Sequence, residues 1–214
     1  MPFRDDLIER TLEQLNATLQ KILQTPSDIY KAEALLEEAY RKHIGTDGQL
    51  LKQLSSQELL STMQTTGILD KEKSYLIAAL LDAEAWVQET VGQDSSKAQL
   101  KALDLYLEAA LANVGADDIH ERIARLTKPL EVFVLPEATE WRLFHYEVKR
   151  EEFDKAETRL FELLGTSTDT QKVTTQGQAF YKHLLNLKDD VLEKGGLPRA
   201  EVEEGYATFK ARLS

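Results

Sequence analysis

Asp82 is the residue whose type and position most invite chemistry. It stands inside Tyr75-Leu-Ile-Ala-Ala-Leu-Leu-Asp-Ala-Glu-Ala-Trp-Val87, a run that is apolar nearly all round, interrupted only by Asp82 and Glu84. On a helix of about 3.6 residues per turn, Asp82 shares a stripe with Tyr75, Ala79 and Trp86. A carboxylate in such surroundings is costly unless paired. Two readings follow. As a functional group, Asp82 lines a ligand pocket beneath Tyr75 and Trp86. As a structural group, it accepts a hydrogen bond from a Tyr hydroxyl, an Arg or a neighbouring helix N-terminus.

Other reactive constellations are sparse. The four histidines are His43, His120, His145 and His183, and none has a Glu three residues before it. The Glu-x-x-His pair of di-iron bundles is therefore missing. Asp117-x-x-His120 is the one carboxylate–histidine pair at that spacing, and it reads as a capping Asp beside a surface His. No His-Glu-x-x-His pattern, Gly-rich phosphate loop or Gly-x-Ser-x-Gly elbow occurs. The chain has no cysteine. That removes disulfides, thiolate zinc sites and cysteine nucleophiles, and fits a reducing compartment. No catalytic residue, metal site or cofactor is assigned.

The net charge of −11 and pI near 4.9 argue against nucleic acid and anionic membranes as partners, since both need clustered Lys and Arg. No apolar run approaches the roughly 20 residues that span a bilayer. The N-terminal MPFRDDLIERTLEQL carries acids and no cleavable apolar segment, so no signal peptide is expected. A cytoplasmic protein is the expectation.

The elements that must position Asp82 are helices. Leu, Ala, Glu, Gln and Lys are common and Val and Ile sparse, which favours helix over strand. Arg4–Leu23 repeats Leu7, Ile8, Leu12, Leu15, Leu19, Ile22 and Leu23 at three- and four-residue steps; such a terminal helix either packs on the domain or joins a dimer. Pro26 breaks it, with Ser27 or Asp28 as the next cap. A helix from Ile29 stops near Gly45, a short piece covers Leu50–Leu54, and Ser55-Ser-Gln-Glu58 is a capping box. Gly67 ends the helix that follows. Asp70–Val91, which holds Asp82, belongs in the middle of a bundle. Next come Lys97–Asn113, then Ile119 to about Lys128, ended or kinked by Pro129. Leu130–Leu135 reads as a short buried helix or extended connector. Gln171–Lys194 reads as one helix whose start Gly177 weakens, after a polar, mobile Thr166–Asp169. Leu197-Pro198-Arg199 opens a last helix with Val202, Tyr206 and Phe209 facing in.

The hairpin Trp141–Leu164 has its own pattern. Its first helix carries Trp141, Phe144 and Val148 on one stripe and Leu143 and Tyr146 on a nearly opposite one, so it is covered on two sides. Its second helix has one apolar arc: Phe153, Ala156, Leu160, Leu163 and Leu164. With Phe153, Ala156 and Leu160 where that motif wants an aromatic, an Ala and a large residue, the pair resembles a tetratricopeptide (TPR) repeat hairpin. Phe144 and Leu163 depart from the motif, which prefers small residues there. Ala102, Tyr106 and Ala109 give a second TPR-like helix. Ala102 and Ala156 lie 54 residues apart, longer than the roughly 34-residue TPR period, so an extra helix is inserted. The expectation is an all-α, irregular TPR-like α–α array or helical bundle of about nine to eleven helices, forming one domain over residues 1–214, with residues 1–24 as an N-terminal helix that packs or dimerises and 197–214 as the terminal helix.

Three segments together resemble an uncharacterised bacterial family of TPR-like helical proteins. They are Arg4-Asp5-Asp6-Leu7-Ile8-Glu9-Arg10 with Leu12, Leu15 and Leu19; Pro136, Leu143, Tyr146-Glu147, Phe153, Lys155-Ala156-Glu157 and Leu160-Phe161; and Phe180-Tyr181, Leu184-Leu185, Leu192, Gly195-Gly196-Leu197-Pro198 and Glu201-Val202-Glu203. The match is loosest from Gln49 to Val114. The TPR likeness implies that Trp141, His145 and Lys149, stepping by fours, face a concave groove and touch a peptide. The plain alternative is a core Trp141 beside two surface residues. The leading reading is a non-catalytic, TPR-like scaffold that binds another protein or a peptide, or itself as a homodimer. The second is a small-molecule-binding regulator with a pocket at Tyr75, Asp82 and Trp86. The third is an enzyme of unrecognised type.

Overall fold

The computed structural model describes residues 2–24 and 28–213, without the side chains of residues 2–9, 12, 16 and 23. Pro26 and Ser27, expected at the first helix break, lie outside the described residues, as do the side chains of Leu7, Ile8, Leu12 and Leu23. The described chain is all-α apart from one two-stranded hairpin. Contacts divide it into two compact units, Met1–Phe133 and Val134–Ser214.

The first unit is built on α5 (Lys71–Thr90). Every residue from Ser74 to Ala83 is buried, as the apolar run requires. Around it pack α1 (Pro2–Leu23), α2 (Ile29–Ala39) and α6 (Ser96–Leu111). Asp28 caps α2 by accepting from the Lys31 N–H. Beyond α2 the helix widens into a π-helical turn, Tyr40–Ile44, and stops at Gly45 with φ 73°. Two short helices follow, α3 (Gly48–Gln53) and α4 (Ser56–Thr62). Ser55 and Glu58 form the capping box anticipated from the sequence. β1 (Gln64–Thr65) and β2 (Ile68–Leu69) pair antiparallel about Thr66-Gly67, both at positive φ. This hairpin follows α4, where the sequence pointed only to a helix end. α7 (Ile119–Leu130) packs on α6. Pro129 lacks the N–H that would bond the Arg125 carbonyl, and the helix ends one residue later. Of the two readings of the apolar stretch after it, a short buried helix and a connector, the helix is not formed. Val132, Phe133 and Val134 are exposed, and only Leu130 and Leu135 turn inward.

The second unit holds α8 (Glu137–Lys149), α9 (Phe153–Thr166), α10 (Thr170–Leu185), α11 (Asp189–Lys194) and α12 (Arg199–Arg212). Twelve helices are therefore present among the described residues, one above the expected range. Gln171–Lys194 is two helices separated at Asn186–Lys188. Segment 167–169 is tied down: the Ser167 hydroxyl donates to Glu137 Oε1 at 2.7 Å, and Asp169 caps α10 by accepting from the Lys172 N–H at 2.9 Å. Trp141, Phe144, Phe153, Leu160, Phe180, Tyr181 and Phe209 form the core. α9 begins where the N–H groups of Phe153 and Asp154 donate to the Gly195 carbonyl. A Cβ on Gly177 would lie 2.2 Å from the Phe209 ring, so this glycine is there to let α12 approach α10.

Candidate functional site

Two helices bring the site together within the first unit. On α5, Ala79, Asp82, Ala83 and Trp86 recur at three- and four-residue steps and share a face. On α7, Asp118, at its start, Arg122 and Arg125 do the same. Leu19 and Gln20 of α1 join them, and these nine residues line a cleft of about 350 Å³. That volume lies at the lower end of the range of about 300–1,000 Å³ typical of small-molecule sites.

The charges are arranged in order of depth. Asp82 is 5% exposed; its Oδ2 accepts from Arg125 Nη2 and forms an ion pair with Arg122 Nη1 at 3.5 Å. The side chain of Arg122 is 21% exposed; its Nε donates to Asp118 Oδ2 at 2.6 Å and its Nη1 to the Tyr106 hydroxyl at 3.2 Å. The Arg122 guanidinium also lies about 6 Å from the Tyr75 and Tyr106 rings, within cation–π range. Burial alone would raise the pKa of Asp118. Hydrogen bonds from Tyr75 and Arg122 outweigh it and hold the carboxyl below its usual range. Burial, then the hydrogen bond to Asp118, pushes the Tyr75 hydroxyl up. Arg125 differs from the rest: its side chain is 56% exposed, and Asp82 is its one ion-pair partner among the described residues.

Of the three residues singled out around this pocket, Asp82 and Trp86 line the cleft and Tyr75 does not. Tyr75 is buried, stacked edge-on against Tyr106 at 5.4 Å, and its hydroxyl donates to Asp118 Oδ1 at 2.6 Å. It braces the acid instead of contacting the cavity. Asp82 is both paired to arginine and placed at the cleft. Arg122 and Arg125 were not picked out from the sequence, although the spacing Asp118-x-x-x-Arg122-x-x-Arg125 puts three charges on one helical face.

Trp141, His145 and Lys149 lie in the second unit and are not presented together. Trp141 is 4% exposed and belongs to the core, its indole N–H donating to Glu137. Lys172 stands over its ring at 4.5 Å. His145 and Lys149 are exposed, with the His145 ring stacked on the Trp141 indole. The apolar stripe of α8 thus takes Trp141 into the core.

The same unit holds a partly buried charge cluster. Arg159 lies 3.5 Å from Glu140 Oε2, 3.5 Å from Glu147 Oε1 and 3.4 Å from Glu162 Oε2. Among the described residues, Glu147 Oε2 has no hydrogen-bond partner. Burial outweighs Arg159 and pushes the Glu147 carboxyl up to about 7. Among the described residues no group of three or more His, Asp or Glu side chains is placed to hold a metal ion, and no helix is long and apolar enough to cross a membrane.

Residues 2–214 match the model of a family of unknown function, DUF6483. The chain belongs to that family. No curated protein and no solved structure matches it.

Proposed function

We propose that this chain binds a small molecule in the cleft between α1, α5 and α7 and does no chemistry on it. One observation carries this reading: a buried carboxylate, Asp82, held by two guanidinium groups on the wall of an open cleft that also exposes the flank of Trp86. Buried ion pairs are weak sources of stability, because desolvation offsets most of their attraction. A purely structural Asp82 would be served as well by an apolar residue. At a cleft, the pair keeps Arg125 oriented toward a ligand. The peptide-groove reading of α8 has less support, since the indole meant to line the groove is in the core.

The test is a thermal-shift panel of small organic acids, amines and neutral compounds on the full chain. A ligand at one hundred times its Kd stabilises by about 2.7 kcal/mol. At roughly 2–4 °C per kcal/mol for a chain of this size, that raises Tm by about 5–10 °C. The hit should also change Trp86 emission and leave a Trp86→Phe variant spectroscopically silent. A panel without hits, or hits whose signal survives Trp86→Phe and vanishes in Trp141→Phe, would refute the assignment.

A further inference from the structure

Building on the reading of this cleft as a binding site, we propose that its ligand is a small carboxylate with an apolar body, the carboxylate held by Arg125 and the body lying against Trp86. The cleft carries two positive and two negative side chains, so its net charge does not choose a ligand. What chooses is how far each group is already used. Asp82 is 5% exposed and receives both arginines. Both oxygens of Asp118 accept hydrogen bonds at 2.6 Å, from Tyr75 and Arg122. Arg122 serves Asp118, Asp82 and Tyr106 and is mostly covered. Of these four, among the described residues, Arg125 alone is more than half exposed and engaged through a single nitrogen. A guanidinium has five N–H donors in a planar fork that fits a carboxylate through two parallel bonds. The remaining donors of Arg125 are therefore what the cleft offers a ligand, and they select an anion over a cation.

The rest of the lining sets the body. Leu19, Ala79, Ala83 and Trp86 supply apolar surface beside that guanidinium. Two of the four are alanines, which leaves room over the half-buried indole. An inorganic anion would leave that surface wet. A compact body with one carboxylate uses both parts of the cleft.

The experiment is calorimetric titration of the full chain with 3-phenylpropionate, 3-phenylpropanol and 3-phenylpropylamine, which share one body and differ in head group; octanoate and inorganic phosphate are run beside them. The proposal expects saturable binding of 3-phenylpropionate or octanoate, at least tenfold weaker binding of the alcohol and amine, and no displacement by equimolar phosphate. Arg125→Gln should weaken the acid at least tenfold and leave the alcohol unchanged, and Arg125→Lys should fall between, since Lys keeps the charge and loses the fork. Circular dichroism of the variants separates lost binding from lost fold. If the alcohol or amine binds as tightly as the acid, or Arg125→Gln binds the acid normally, the carboxylate assignment is overturned while the cleft stands as a binding site. If no compound of the set binds at millimolar concentration, both fall.

Discussion

Replacing Glu147 by Gln should make the protein more stable at pH 8 and leave it nearly unchanged at pH 4. Glu147 is buried on α8, and its nearest cation, Arg159, is shared with Glu140 and Glu162 at 3.4–3.5 Å. Burial penalises the ionised carboxylate more than this shared cation rewards it, so the folded state holds the proton up to about pH 7, against 4.5 for an ordinary Glu. A folded state that binds the proton more tightly than the unfolded one is stabilised by acid. The contribution is fully present below about pH 4.5 and is lost as pH rises through 7. At about 1.4 kcal/mol per pH unit, the interval is worth about 3 kcal/mol. Gln has the shape of the protonated acid and carries no charge at any pH. Urea unfolding in a Trp86→Phe background, followed by the emission of the buried Trp141 in the same unit, measures the difference. The variant should match its parent within about 0.5 kcal/mol at pH 4 and exceed it by about 3 kcal/mol at pH 8. A difference that does not change with pH, or a variant less stable at pH 8, would refute the reasoning by showing that Arg159 keeps Glu147 ionised.

Two further outcomes follow from packing and pairing. Gly177→Ala should cost about 2 kcal/mol despite the better helix propensity of Ala, because the new methyl would meet the fully buried Phe209 ring at 2.2 Å; denaturant midpoints should show the loss, and a Gly177→Ala, Phe209→Leu pair should recover much of it. Asp82→Asn should cost about 3 kcal/mol, near the low end for a broken buried pair because Arg125 is half in solvent and Arg122 keeps Asp118; a change under about 0.5 kcal/mol in the same assay would show that the pair is not structural.

The central helix was legible because its pattern has one solution: an apolar run of that length with no wet face is buried. Asp82 was legible as the exception within it. Its partners were not, because Arg122 and Arg125 look like the charged face of any amphipathic helix until α7 is known to turn that face to Asp82. Tyr75 shares a stripe with Asp82 and Trp86, yet two turns of helix carry it to Asp118 and Tyr106, where a hydroxyl and a ring have better partners than a cavity. Trp141 lies on an apolar stripe that called for burial; only the likeness to TPR hairpins suggested a groove. The break at Asn186–Lys188 leaves no mark in the sequence, because Leu184, Leu187 and Val191 continue the helical spacing across it. Gly177 weakens its helix, but its reason is Phe209, more than thirty residues away in sequence.

The claim that the cleft beside Asp82 is the binding site can be tested on two signals. The chain has two tryptophans, one at the cleft and one in the core of the other unit. In a nitrogen–proton correlation spectrum titrated with 3-phenylpropionate, the Trp86 indole N–H should shift and saturate while that of Trp141 stays in place. Movement of Trp141 with Trp86 unmoved, or no saturable movement of either, would contradict the account.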